Sequence, residues 1–260
     1  MPKIWVRYEE SAKGINQIGL CLLRFNIPLG GNLMSSIDAF YGKKIACVFC
    51  GKSFATLKVR SRFSIPHQID SDFCPHYREG NYNPHFYFVN VCPECGFAFS
   101  EEFSDQFPLG SREVIHSNIT EHWIKRNFGE VRDIQQALES YKLAILAGSL
   151  KKEKNAVLAG LCLRLAWLYR VEKMPEQESR FLGLALNAYE ESFVHSDFTG
   201  TSMSELNVLF MIGELSRRLG QYQKAILYFS KVIQHKNAKD EPKMVNRARE
   251  QWRIAKEEYH

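Results

Sequence analysis

Two copies of one short motif, Cys-x-x-Cys-Gly, constrain this chain more than any other feature of its 260 residues. Cys47-Val48-Phe49-Cys50-Gly51 and Cys92-Pro93-Glu94-Cys95-Gly96 each place two thiols on one tight turn. Such a turn delivers two thiolates to one edge of a metal tetrahedron, and two turns complete the shell. The glycine after each pair supplies the left-handed backbone on which the chain can curl round an ion. Seven cysteines, an odd number, make a poor disulfide framework. The pairs therefore read as metal ligation in a reducing, cytoplasmic compartment. The expected cofactor is one structural zinc ion on Cys47, Cys50, Cys92 and Cys95, although ligand type alone also admits iron.

The halves of this signal are clearer than its spacing. Between Cys50 and Cys92 lie 41 residues, against roughly 15–20 in the common pattern. Cys74-Pro75-His76 falls inside that insertion, so Cys47, Cys50, Cys74 and His76 form a competing set of nearly conventional spacing. The repeated Cys-x-x-Cys-Gly favours the four-cysteine set. Cys74 and His76 then stand as an additional metal or thiol site, or as a buried small residue beside a surface imidazole. Alternating apolar residues predict strands over 53–63 and 85–91 that present the two turns. A redox role for the pairs would need a helix N-terminus to lower a thiol pKa, and the pattern around them is that of strands.

Composition changes along the chain. Residues 1–33 show no sustained periodicity and are expected to be an extension, with Met34 as a candidate native start. The apolar stretch 15–29 is interrupted by Arg24 and Asn26 and is shorter than the roughly 20 residues that span a bilayer. A four-cysteine, zinc-ribbon-like β module is expected over 34–110. From 111 to 260, apolar residues recur at spacings of three and four, which predicts amphipathic helices. The expected fold class is α+β, the β module followed by an all-α array.

The helical half fits the tetratricopeptide pattern of small and large residues at fixed offsets. Leu209, Ile212, Gly213 and Ser216 would form a first helix, and Ala225, Phe229 and Val232 a second, joined at Gly220-Gln221-Tyr222. Cys162, Leu165, Ala166 and Tyr169, followed by Ala185 and Tyr189, read as an earlier copy. Ala137, Tyr141 and Ala144 resemble a still earlier second helix, with a partner expected over 115–128. The intervals between corresponding alanines, 48 and 40 residues, are irregular. Arg247, Arg249, Arg253 and Lys256 with Trp252 suit a terminal helix that caps the stack. Stacked helical repeats present an extended surface to a peptide or protein partner.

Two other chemistries have candidate residues. Lys58, Arg60 and Arg62 alternate with apolar residues, so a continuous strand would turn all three to one face, where they could grip a nucleic-acid backbone. The net charge of +5 neither demands nor forbids this. Cys74 near His76 could serve as a thiolate nucleophile. The chain has no phosphate-binding loop, dinucleotide fingerprint, His-Glu-x-x-His or nucleophile elbow, so no catalytic residue is assigned.

Six segments, 47–54, 58–61, 72–77, 91–98, 140–144 and 163–170, together resemble a bacterial family known as domain of unknown function 2225. The resemblance implies a bacterial cytosolic protein and leaves activity open. It also implies that Asp72, Cys74 and Tyr77 form a recurring element. The resulting expectation is a non-enzymatic interaction protein with a structural zinc site. Nucleic-acid binding and thiol chemistry are its alternatives, and no membrane partner is expected.

Overall fold

Short apolar runs broken by Pro, Gly and Asn give short strands, and the described residues before the helices form three separate two-stranded ribbons. The computed structural model describes residues 38–259. The expected extension over 1–33 and the candidate start at Met34 lie outside the described residues. β1 (Phe40–Ala46) pairs antiparallel with β2 (Ser53–Val59), Phe40 opposite Val59 and Ala46 opposite Ser53. β3 (Gln68–Ile69) pairs with β4 (Pro75–His76), and β5 (Asn90–Val91) with β6 (Ala98–Phe99). Two-stranded ribbons are marginal in water by themselves, so each here must be held by something else.

Two predicted strands end early. β2 stops at Val59 because Ser61–Phe63 closes into a 3-10 turn. Within 85–91 only Asn90–Val91 is strand. Pro84 fixes a helical φ at the first position, and the Asn83 side chain accepts from the His85 N–H at 3.0 Å, capping a 3-10 turn over Pro84–Tyr87.

Seven helices follow among the described residues: α1 (Ser111–Asn118), α2 (Ile134–Lys151), α3 (Asn155–Val171), α4 (Pro175–His195), α5 (Glu205–Arg218), α6 (Tyr222–Ile233) and α7 (Pro242–Tyr259). Their starts follow side-chain chemistry. Asp133 and Gln136 form a reciprocal capping box on α2, Pro175 opens α4, and Ser204 accepts from the Asn207 N–H on α5 at 3.1 Å. The caps on α2 and α5 satisfy donors that a helix start leaves orphaned, and Pro175 has no N–H to satisfy. The helix expected over 115–128 is shorter, since α1 ends at Asn118 and Trp123 onward is irregular.

α3 packs on α4, α4 on α5, α5 on α6 and α6 on α7. The small-large interlock read from the sequence is present in the α5–α6 pair. A Cβ added at Gly213 would lie 2.9 Å from the Phe229 ring, so glycine is what lets these helices approach. α7 is tied to the array by Trp252, whose Nε1 donates to Ser230 Oγ at 3.0 Å. The hydrophobic core runs unbroken from Val91, Phe97 and Phe99 through Tyr141 and Ala144 to Leu165, Phe210 and Phe229.

Candidate metal centre

The β1–β2 and β5–β6 ribbons each end in a cysteine turn, and the two turns share one backbone solution. Gly51 N–H donates to Cys47 O at 2.8 Å, and Cys47 N–H to Lys52 O at 2.9 Å. In the second turn, Gly96 N–H donates to Cys92 O and Cys92 N–H to Phe97 O, both at 3.0 Å. Gly51 and Gly96 have φ of +75° and +74°, a region that disfavours any residue with a Cβ.

The two turns face one another. All four Sγ atoms of Cys47, Cys50, Cys92 and Cys95 lie within 4.8 Å of one another. Across the turns, Cys47 Sγ is 3.7 Å from Cys95 Sγ, and Cys50 Sγ is 3.7 Å from Cys92 Sγ. A tetrahedron with metal–sulfur arms of about 2.3 Å has edges of about 3.8 Å, so these edges fit a tetrathiolate ion. Cys47, Cys92 and Cys95 are buried and Cys50 is exposed. Hydrogen bonds from Cys47 and Cys95 hold the Cys92 thiol down to about 2. The bond with Cys92 pushes Cys47 up to about 12, and bonds with Cys47 and Cys92 raise Cys95.

Residues remote in sequence brace the centre. Phe49 stacks on Phe97 with ring centroids 5.4 Å apart. Arg112 Nη1, from α1, donates to Phe49 O at 2.8 Å. Thr120 Oγ1 donates to Cys95 O at 3.2 Å, and Trp123 Nε1 to Pro93 O at 2.9 Å. Lys52 and Lys125 both pair with Glu94, at 3.1 and 2.8 Å. The irregular segment after α1 thus clamps the second turn, a role that no motif around Thr120 or Trp123 announces.

A family described as an uncharacterized protein conserved in bacteria (DUF2225) matches residues 40–255. The chain belongs to this family. No curated protein and no solved structure matches it. The DUF2225 match spans both cysteine turns and nearly all of the helical array, and no described helix is long and apolar enough to cross a membrane.

The other candidate residues are placed differently. Cys74 and His76 do not join the cysteine cluster; they converge with Asp70 instead, their ligand atoms within 4.8 Å of one another. The competing set of Cys47, Cys50, Cys74 and His76 is therefore not brought together. Cys74 is fully buried, and that burial pushes its thiol up to about 12, so as a free side chain it stays protonated at neutral pH. Lys58, Arg60 and Arg62 do not share an open strand face. Lys58 turns inward and donates to Tyr87 O at 2.7 Å and to Asn90 Oδ1 at 3.3 Å. Arg60 donates to Asp38 O at 3.0 Å and covers the Tyr41 ring. Arg62 lies in the 3-10 turn, over Phe63. The alternation fails because the strand ends at Val59.

The β3–β4 ribbon docks on the helices through a buried ionic cluster at its tip. Asp72, wholly buried, receives Arg170 Nη2 of α3 at 2.7 Å and Trp167 Nε1 at 3.1 Å, and it pairs with Arg218 of α5 at 3.2 Å. Ser71 Oγ donates to Glu214 Oε1 of α5 at 2.6 Å. Phe73 packs its ring 5.7 Å from Phe210. The α3 and α5 surface that a helical array would offer a partner is thus partly occupied by the chain's own hairpin.

Proposed function

We propose that the protein is a non-enzymatic interaction module of the bacterial cytoplasm, in which a structural zinc ion on Cys47, Cys50, Cys92 and Cys95 fixes a zinc-ribbon-like part to a tetratricopeptide-like array. The observation that carries the metal half is the pair of 3.7 Å sulfur–sulfur edges between the two turns. Four thiolate ligands leave no open position for substrate water, so the ion contributes folding energy rather than chemistry. Such ligands need the reduced thiols of a cytoplasmic compartment.

The helical half supports binding of a protein or peptide. The Gly213–Phe229 interlock is the repeat logic that stacks helix pairs. Part of the α3–α5 surface stays open beside the docked hairpin, as a cleft of about 680 Å³ whose lining includes Gly160, Leu163, Arg164, Asn207 and Met211. A partner segment would lie there. Replacing the half-buried Asn207 by Arg fills the cleft without touching the core. Reduced recovery of one and the same partner with Asn207→Arg, at unchanged thermal stability, supports the assignment. Unchanged recovery of every partner that the wild type captures contradicts it.

A further inference from the structure

The β3–β4 hairpin carries a second convergence of metal-ligating side chains, well apart in composition from the four-cysteine centre. We propose that Asp70, Cys74 and His76 form a second site for a divalent transition ion of the zinc class, with one coordination position open to the adjoining cleft. This inference is independent of what the helical array binds.

The local backbone is built to bring these three residues together. Asp70 N–H donates to Cys74 O, and Phe73 N–H donates to Asp70 O, both at 2.9 Å, closing a tight loop across the ribbon end. Phe73 has φ of +68°, a genuine outlier for a bulky residue and a strained backbone conformation. Its ring is held against Phe210 and beneath Arg247, 5.7 and 4.8 Å away. The loop is therefore kept in a conformation it would not choose alone, and the result is one carboxylate, one thiol and one imidazole around a common point.

The contact between His76 and Asp70 has the character of converging ligands. His76 Nε2 lies 2.9 Å from Asp70 Oδ2, and this buried ring nitrogen has no hydrogen-bond partner. Buried polar atoms are rarely left so. An ion bound beside Asp70 Oδ2 gives this nitrogen the partner it lacks. Cys74 Sγ, buried at the same point, supplies the soft ligand that selects zinc-class ions over magnesium or calcium.

Arg170 does not pre-empt the carboxylate. Its guanidinium reaches Asp70 Oδ2 at 2.7 Å, but it also holds Asp72 at 2.7 and 3.1 Å and Glu178 at 2.7 Å. Arg170 stays paired when Asp70 turns to an ion, and then becomes the outer partner that orients a ligating carboxylate. His76 and Arg170 line a cleft of about 750 Å³ with Tyr77, Tyr82 and Arg132. Of the three ligands His76 borders this cleft, and a site with three protein ligands leaves its fourth position to water or a small anion.

The test is zinc titration of the full-length reduced protein, read by native mass spectrometry and elemental analysis, with His76→Gln, Asp70→Asn and Cys74→Ser alongside. The wild type should bind two equivalents and each variant one. His76 is partly exposed, so His76→Gln should keep the wild-type circular dichroism even if Cys74→Ser fails to fold. A wild type that binds one equivalent in excess zinc, or a second equivalent that survives in folded His76→Gln, overturns the proposal. A protein that loses zinc on Cys92→Ser while His76→Gln changes nothing keeps the four-cysteine centre and removes this one. The reverse pattern does the opposite.

Discussion

The two cysteine turns offer a controlled comparison, because Gly51 and Gly96 occupy equivalent positions with nearly equal φ but different surroundings. A Cβ added at Gly51 meets nothing within 4 Å. Gly51→Ala should therefore cost only the left-handed backbone penalty, about 1–2 kcal/mol. A Cβ at Gly96 would lie 2.5, 2.6 and 2.8 Å from three atoms of the Trp123 ring. That ring cannot slide freely, since its Nε1 is bonded to Pro93 O at 2.9 Å and its face stacks on Phe128. Gly96→Ala should add an overpacking cost of about 1–3 kcal/mol and the loss of a hydrogen bond worth about 1 kcal/mol, for a total of about 3–6 kcal/mol. Both variants should be unfolded in denaturant at saturating zinc, so that metal affinity does not enter. In a Trp123→Ala background, the excess cost of Gly96→Ala over Gly51→Ala should vanish, as a double-mutant cycle requires. Equal losses for the two glycine variants, within about 0.5 kcal/mol, would refute the claim that the segment after α1 clamps the second turn.

Two further perturbations probe the buried polar groups. Asp72→Ala removes the wholly buried carboxylate shared by Arg170, Arg218 and Trp167. Arg170 keeps Asp70 and Glu178 and Arg218 keeps Glu214, so the main loss is the partner of the Trp167 N–H, about 1–3 kcal/mol, and hydrogen exchange should show the amides of residues 68–76 losing protection first. Burial pulls Lys58 down to about 8, opposed by Glu101 and reinforced by Lys43 and Arg132. Because the folded pKa lies below the unfolded value of about 10.4, the unfolded state binds more protons in this window. Holding Lys58 charged thus penalises the fold fully below pH 8, and the penalty is relieved as pH rises towards 10.4. Lys58→Met should flatten that rise in a denaturation series, and an unchanged profile would mean that Lys58 is not buried as charged lysine.

What was legible in the sequence is what short-range chemistry decides. A cysteine pair followed by glycine dictates its own turn, so both turns could be placed from the motif, and the three- and four-residue spacing located α2 to α7. The pairing of the two turns across a long insertion was also readable, because the repeated motif outweighed conventional spacing. The misreadings share another cause. The segment 85–91 alternates like a strand, but Asn83 and Pro84 set a 3-10 turn first. Lys58 looks like an outward cation until Tyr87 O, 29 residues on, claims its ammonium. Asp70 carries no local mark of a ligand, and only the Phe73 turn brings it beside Cys74 and His76. Trp123 carries no local mark of its contact with Gly96, since long-range packing decides it.

The central claim is that four thiolates hold one ion at the junction of the two cysteine turns. X-ray absorption at the metal edge on His76→Gln, with elemental analysis of the same sample, tests it most directly, because the second site is disabled there. The account predicts one zinc per chain with a shell of four sulfurs at about 2.3 Å. A shell containing nitrogen or oxygen donors, another metal, or no bound ion would contradict it.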